Sequence, residues 1–288
     1  MKKKAFGLLA LLLIYLLAVA LGGIIFYLLK DYVHYLLAIL IADVSATVFV
    51  WACGLICRTP SIYDPYWSVQ TFFIYLGLLI YTNNWNFYTI LVLAVIGIYS
   101  LRLTLNFIVG FHDLSYVDWR YKMLKEKSGR AFQLVNLFGI CMFPTLVVFF
   151  ASIPVFIYAF VDTGYGPLDI IGSIIVLLGT LLELIADSQM KTFIKNRTSR
   201  EEVVNVGLWN YSRHPNYLGE IAIWFGVALI LIIARPYYWY YIIGAIINLL
   251  MFIFISIPME EKHMLEYKPE INEYIRSTSC LIPWKKRK

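Results

Sequence analysis

Residues 8–29 read "LLALLLIYLLAVALGGIIFYLL", an unbroken apolar run directly after Lys2, Lys3 and Lys4. As an α-helix this run is about 33 Å long, enough to cross a hydrocarbon core of about 30 Å. A secretory signal would have an apolar region of only ~7–15 residues and a small-residue cleavage site before a polar mature chain. Neither feature is present, so the run reads as a first membrane span.

Similar runs recur at about 6–29, 33–57, 66–82, 87–109, 132–161, 168–188, 217–234 and 237–257. The last pair is divided only by Arg235-Pro236. Hydrophobic residues make up 61% of the 288 residues and charged residues 15%, against about 25% charged in soluble domains. Mean hydropathy is +0.73. The expected fold is all-α: a polytopic transmembrane helical bundle of about 7–8 spans, followed by a cytoplasmic interfacial helix.

Positive charge sets the expected orientation. Lys2–Lys4, Arg58, the stretch from Arg120 to Arg130, the stretch from Lys191 to Arg200 and the final "KKRK" fall at every second connection. The alternate connections carry little charge, which puts both termini in the cytoplasm. The net charge of +6 then belongs to loops facing anionic lipid. No aromatic–basic sheet motif or zinc spacing suggests a nucleic-acid partner. Cys53, Cys57, Cys141 and Cys280 have no disulfide-framework spacing. The histidines at 34, 112, 214 and 263 form no HExxH pattern, which argues against a metal site.

Several polar groups need explaining. Ionisable groups at membrane depth cost at least ~2.5–3.5 kcal/mol and normally face a partner or a wet cavity. Glu183 and Asp187 lie four residues apart on one helical face, and Lys191 continues it. They either accept hydrogen bonds from a ligand or pair with Arg213 or Lys191. Lys195, Arg197 and Arg200 follow and suit phosphate oxygens, although such runs are also ordinary loop composition. Tyr99, Arg102 and Asn106 line a face of the fourth span, where Arg102 either faces a ligand or snorkels. Asp64, before Pro65, suits a helix N-cap, and Asp43 has no evident partner. The run "YSRHPNYLGEIAIW" (211–224) places Arg213, His214, Asn216, Tyr217 and Glu220 at the mouth of a span, opened by Pro215 and Gly219. The tail "PMEEKHMLEYKPEINEYIRSTSCLIPWKKRK" spaces Met264, Leu265, Ile271 and Ile275 for a helix and ends at Trp284 among basic residues.

"ELIADSQMKTF", "GLWNYSRHPNYLGE" and "MEEKHMLEYKPEINEYIRSTSCLIP" resemble the C-terminal half of the steroid 5-alpha-reductase-like family, closest to its poorly characterised microbial members. "SIYDPYWS", "RLTLNF" and "DWRY" extend the resemblance from about residue 61 to 284. It implies a membrane reductase that uses NADPH to reduce a carbon–carbon double bond, usually conjugated to a carbonyl, in a steroid-like or other lipid. It implies cofactor contacts from Glu183, Asp187, Lys191, Tyr211, Asn216, Glu220, His263 and Tyr267, with Lys195, Arg197, Arg213 and His214 alongside. Tyr99, three residues before Arg102, would bind the substrate carbonyl and donate a proton. Asp64 stands where the family has a glutamate, with Trp67 beside it, and Glu183 where the family has asparagine. The implied organisation is N-terminal spans over 1–60, substrate-side helices and a basic loop over 61–131, and a cofactor-binding region over 132–288.

The "RHP-x-Y-x-G" run with Glu260-Glu261 also resembles isoprenylcysteine carboxyl methyltransferases, which bind S-adenosylmethionine. Asn216 favours the reductases. A non-catalytic lipid-binding membrane protein is the third alternative. No G-x-G-x-x-G follows a strand, so a nicotinamide cofactor would be held by helices and side chains.

Overall fold

The computed structural model describes residues 2–161, 164–268 and 270–286. Among these the chain is helical, without a named strand; one isolated parallel bridge joins Ser212 and Ser279. The helices are α1 (Lys2–Leu29), α2 (Tyr35–Cys57), α3 (Tyr66–Thr82), α4 (Phe87–Gly110), α5 (Trp119–Phe160), α6 (Asp169–Asn196), α7 (Pro215–Ile232), α8 (Pro236–Leu265) and α9 (Ile271–Ser277).

Seven of these helices are long and apolar enough to cross a membrane. The seventeen-residue α3 sits at the short limit for a span, so the eight expected runs are all helical but give seven full-length candidates. Three boundaries moved, and one of them is the sixth run, which continues past 188 to Asn196. The fifth run starts at Trp119, because the polar turn "WRYKMLKEKS", N-capped by Asp118, feeds directly into it. The eighth run continues through Glu260 and Glu261 to Leu265, so the tail breaks only after Glu266. Both long helices contain a π-helical segment, Asn136–Met142 in α5 and Phe252–Ser256 in α8.

The chain forms two compact units, Met1–Gly164 and Tyr165–Lys288. In the first, α1 packs on α2, and α3 packs on α4 and on the later part of α5. Its interior combines fully buried Tyr75, Val155, Phe156 and Tyr158 with threonine and serine hydroxyls. Outward faces such as Leu9, Leu13 and Ile24 of α1 are exposed and apolar, as a lipid-facing surface requires.

The second unit is built on α6 and α7. Gly172 and Gly179 of α6 lie one heptad apart, as do Gly219 and Gly226 of α7. A Cβ on Gly172 would lie 2.3 Å from Ile230 N, and one on Gly219 would lie 2.8 Å from Gly179 O. Only glycine permits this approach, which gives membrane helices dense dispersion contact where no hydrophobic drive exists between them. At one end of the pair Arg235 Nη1 donates to buried Asp169 Oδ1 at 2.6 Å. Asp169 Oδ2 also accepts from Gly166 N at 2.7 Å. The acid stands in the first turn of α6, where the helix dipole favours it.

Candidate functional site

In the second unit the glycine contact decides where the acids lie. The same Cβ on Gly219 would meet Glu183 Cβ at 2.9 Å and Glu183 N at 3.0 Å, so the mouth of α7 sits flush against Glu183. Glu183 and Glu220 are both buried. Trp224, one turn further along α7, donates from Nε1 to Glu220 Oε1 at 2.8 Å. One turn earlier Asn216 is half-buried, and its Oδ1 is buried with no hydrogen-bond partner among the described residues. A second amide, the buried Asn248 of α8, likewise leaves its Oδ1 without a partner among the described residues. Four residues on, Phe252 in the π segment meets the Tyr217 ring at 4.7 Å between centroids.

Arg213 and His214 take a different position from the other expected residues. Arg213 donates from Nε to Glu261 at 2.8 Å, and from Nη1 to the carbonyls of Ile275 and Thr278 at 2.7 Å each. His214 Nε2 donates to the same Glu261 oxygen at 3.0 Å, since an ionised carboxylate only accepts. Main-chain bonds from Arg213 N to Ser279 O and from His214 N to Cys280 O extend the seam. Tyr274 OH completes it by donating to Trp209 O at 2.6 Å. These two side chains hold the C-terminal tail against the entrance of α7. Arg213, set against Glu183 and Asp187 by one reading of the sequence, has Glu261 as its carboxylate partner instead.

The remaining expected residues form a more open rim. Asp187 is half-buried, Lys191, Lys195 and Arg200 are exposed, and Arg197 is half-buried. Tyr211 and Tyr267 are exposed, and His263 packs edge-on to Tyr267 with ring centroids 5.2 Å apart. Lys268, which the sequence did not single out, is buried and donates to Glu202 O at 2.8 Å. Burial, with Arg197 close by, holds its ammonium below the ordinary lysine range. Burial raises the Tyr267 phenol, helped by Glu260 and opposed by the charges of Arg197 and Arg200. Arg197 and Arg200 thus act on Tyr267, and Arg197 on Lys268, with Glu260 as the opposing charge at both.

In the first unit Tyr99 and Arg102 are buried in α4, Asn106 and Trp67 are half-buried, and Asp64 sits just before α3. The N-cap reading of Asp64 is overturned: Pro65 occupies that position, with no side-chain cap. The Asp64 carboxyl instead accepts from the Tyr121 hydroxyl, so the phenol bonded to it comes from the "DWRY" segment. Burial pushes this carboxyl up to about 7, against the lowering effects of the Tyr121 hydroxyl and the Arg120 guanidinium. Arg120 itself is bound to Asp118, Nε to Oδ1 at 2.8 Å. Asp43, without an evident partner in the sequence, accepts from Gln70 Nε2 at 3.2 Å.

Residues 50–278 match the model of a family described as protein of unknown function (DUF1295). The chain belongs to this family. The DUF1295 chain is also 25% identical over 197 residues to protein-S-isoprenylcysteine O-methyltransferase of Saccharomyces cerevisiae, an alignment covering 60% of this chain and 75% of that protein. No solved structure matches it. With seven helices long and apolar enough to cross a bilayer, the chain is an integral multi-pass membrane protein.

Proposed function

We propose that this protein is a membrane-embedded, NADPH-dependent reductase of a conjugated carbon–carbon double bond in a lipid, with the nucleotide site on its cytoplasmic side. The observation that carries this reading over methyl transfer is the Asp64–Tyr121 pair. A carboxyl held up to about 7 and bonded to a phenol is a proton donor at neutral pH. Reduction of an enone consumes one proton, whereas methylation of a thiolate or carboxylate consumes none.

The second unit has the donor and acceptor types that such a cofactor needs. Asn216 Oδ1 is an unpaired acceptor, the complement of a carboxamide N–H. Buried Glu183 and Glu220 suit ribose hydroxyls, and Arg197, Arg200 and Lys268 suit phosphates. Bound NADPH would supply the hydride. The chain's own part is to orient the lipid carbonyl, stabilise the negative charge that builds on its oxygen, and return a proton from the Tyr121–Asp64 pair or from Tyr99. Tyr274 and the Arg213–Glu261–His214 seam keep the tail closed over the entrance of α7 and exclude water.

The yeast likeness favours a second reading, S-adenosylmethionine-dependent methyl transfer, because the α-ammonium of that cofactor is also an N–H donor suited to Asn216. Purified protein in detergent separates the two. Under the reductase reading NADPH raises the unfolding midpoint and S-adenosylmethionine does not. The reverse result would replace the reductase with the methyltransferase.

A further inference from the structure

The first unit contains a polar network that the proposed chemistry does not use. Asp43 and Thr47 of α2, Gln70 and Thr71 of α3, and Thr145 and Ser152 of α5 are all at least nine-tenths buried. Thr145 is the hub. Its Oγ1 lies 3.0 Å from Thr47 Oγ1 and 2.7 Å from Tyr63 OH. Thr71 and Ser152 hydroxyls pair at 2.7 Å.

Gln70 is the exception to this mutual satisfaction. Its Nε2 donates to Asp43 Oδ2 at 3.2 Å and to Thr145 O at 3.4 Å. A main-chain carbonyl only accepts, so the atom facing it must be the amide nitrogen. In this orientation Oε1 is buried with no partner among the described residues. If the network served only to join three helices, an unpaired buried acceptor would weaken it, and a leucine or methionine would pack as well. Two turns along the Asp43–Thr47 face of α2, Trp51 Nε1 is a buried donor that also has no partner. Tyr63, Tyr66 and Trp67 pack in the same cluster as Trp51.

We infer that Gln70 Oε1 reads a hydroxyl group on the lipid substrate, so that the protein takes a lipid alcohol. An unpaired acceptor selects a hydrogen-bond donor. Among neutral groups that partition into a bilayer, the hydroxyl supplies one, whereas a ketone, ester or ether does not. This inference rests on the lipid-substrate part of the reading above and needs no nucleotide.

The test uses the full chain in detergent, without NADPH, and two matched pairs of probes: hexadecanol with its methyl ether, and cholesterol with its methyl ether. In at least one pair the alcohol should bind about tenfold more tightly than the ether, as read by the rise in unfolding midpoint against ligand concentration. Gln70→Met should fold and lose that preference. Gln70→Glu, which keeps an acceptor oxygen, should retain it and serves as the reporter if the methionine variant does not fold. Equal binding of alcohol and ether in both pairs, or a preference that survives in Gln70→Met, overturns the inference. The NADPH shift is measured separately, so failure of the reductase reading and failure of hydroxyl recognition are distinguishable.

Discussion

Glu261 uses one carboxylate oxygen to bind both Arg213, at 2.8 Å, and His214, at 3.0 Å. Two adjacent residues, 48 and 47 positions before it, thus share one anchor, and that anchor closes the C-terminal tail over the start of α7. Glu261→Ala should cost about 1.5–3 kcal/mol, the range for hydrogen bonds to charged groups, because Arg213 keeps only main-chain acceptors. Thermal unfolding would show the loss, and limited proteolysis should cut the tail sooner than α6 or α7. A wild-type cleavage pattern would mean that the main-chain seam alone holds the tail.

The glycine contact between α6 and α7 is open to direct measurement. Gly219→Ala places a methyl 2.8 Å from a carbonyl and 2.9 Å from Glu183 Cβ. It should destabilise the protein by about 1–3 kcal/mol, the range for overpacking. Gly23→Ala in α1, where nothing lies within 4 Å, should be neutral or slightly stabilising, since alanine is the better helix former. Equal effects in the two variants would count against close backbone packing.

Asn216→Leu should weaken NADPH binding by about 10–100-fold, the value of one or two hydrogen bonds in a buried site. It should leave the unfolding midpoint unchanged or raised, because it removes an unpaired acceptor. Calorimetric titration beside thermal unfolding measures both. Lower stability with unchanged affinity would make Asn216 a packing residue.

For Asp64 the sign of the pH dependence follows from linkage. The folded carboxyl sits at about 7, whereas an unfolded aspartate titrates at about 4. Between those values the folded chain holds a proton that the unfolded chain has released. Its contribution to stability is therefore complete below about pH 4 and is lost as pH rises through about 7. Unfolding at pH 5 and pH 8 should differ more for wild type than for Asp64→Asn. Turnover should fall on the alkaline side if the pair donates the proton.

How far the sequence alone reached depends on what was asked of it. Long apolar runs fix helices because the bilayer forces backbone hydrogen bonds inside each segment, so all eight runs are helical. Boundaries slipped where a polar turn continued a helix, as at "WRYKMLKEKS". The polar residues around Asn216, Glu220 and Glu183 stood out because carboxylates and amides rarely enter spans without cause. Their partners did not, because pairing is a long-range matter: Glu261 lies 48 positions from Arg213, Tyr121 lies 57 from Asp64, and Gln70 lies 27 from Asp43. Lys268 was not singled out, because its burial and its bond to Glu202 O, 66 positions away, are likewise long-range.

Where carbonyl oxygens of one helix lie against amides of the next, no flexible side chain remains between them to absorb a displacement. From Gly172 to Gly179 and from Gly226 to Gly219, α6 and α7 must therefore move as a single stiff spar. If a nucleotide enters this half of the molecule, as the reductase reading has it, the tail would have to unlatch first, and the rate at which Glu261 lets go would then limit exchange.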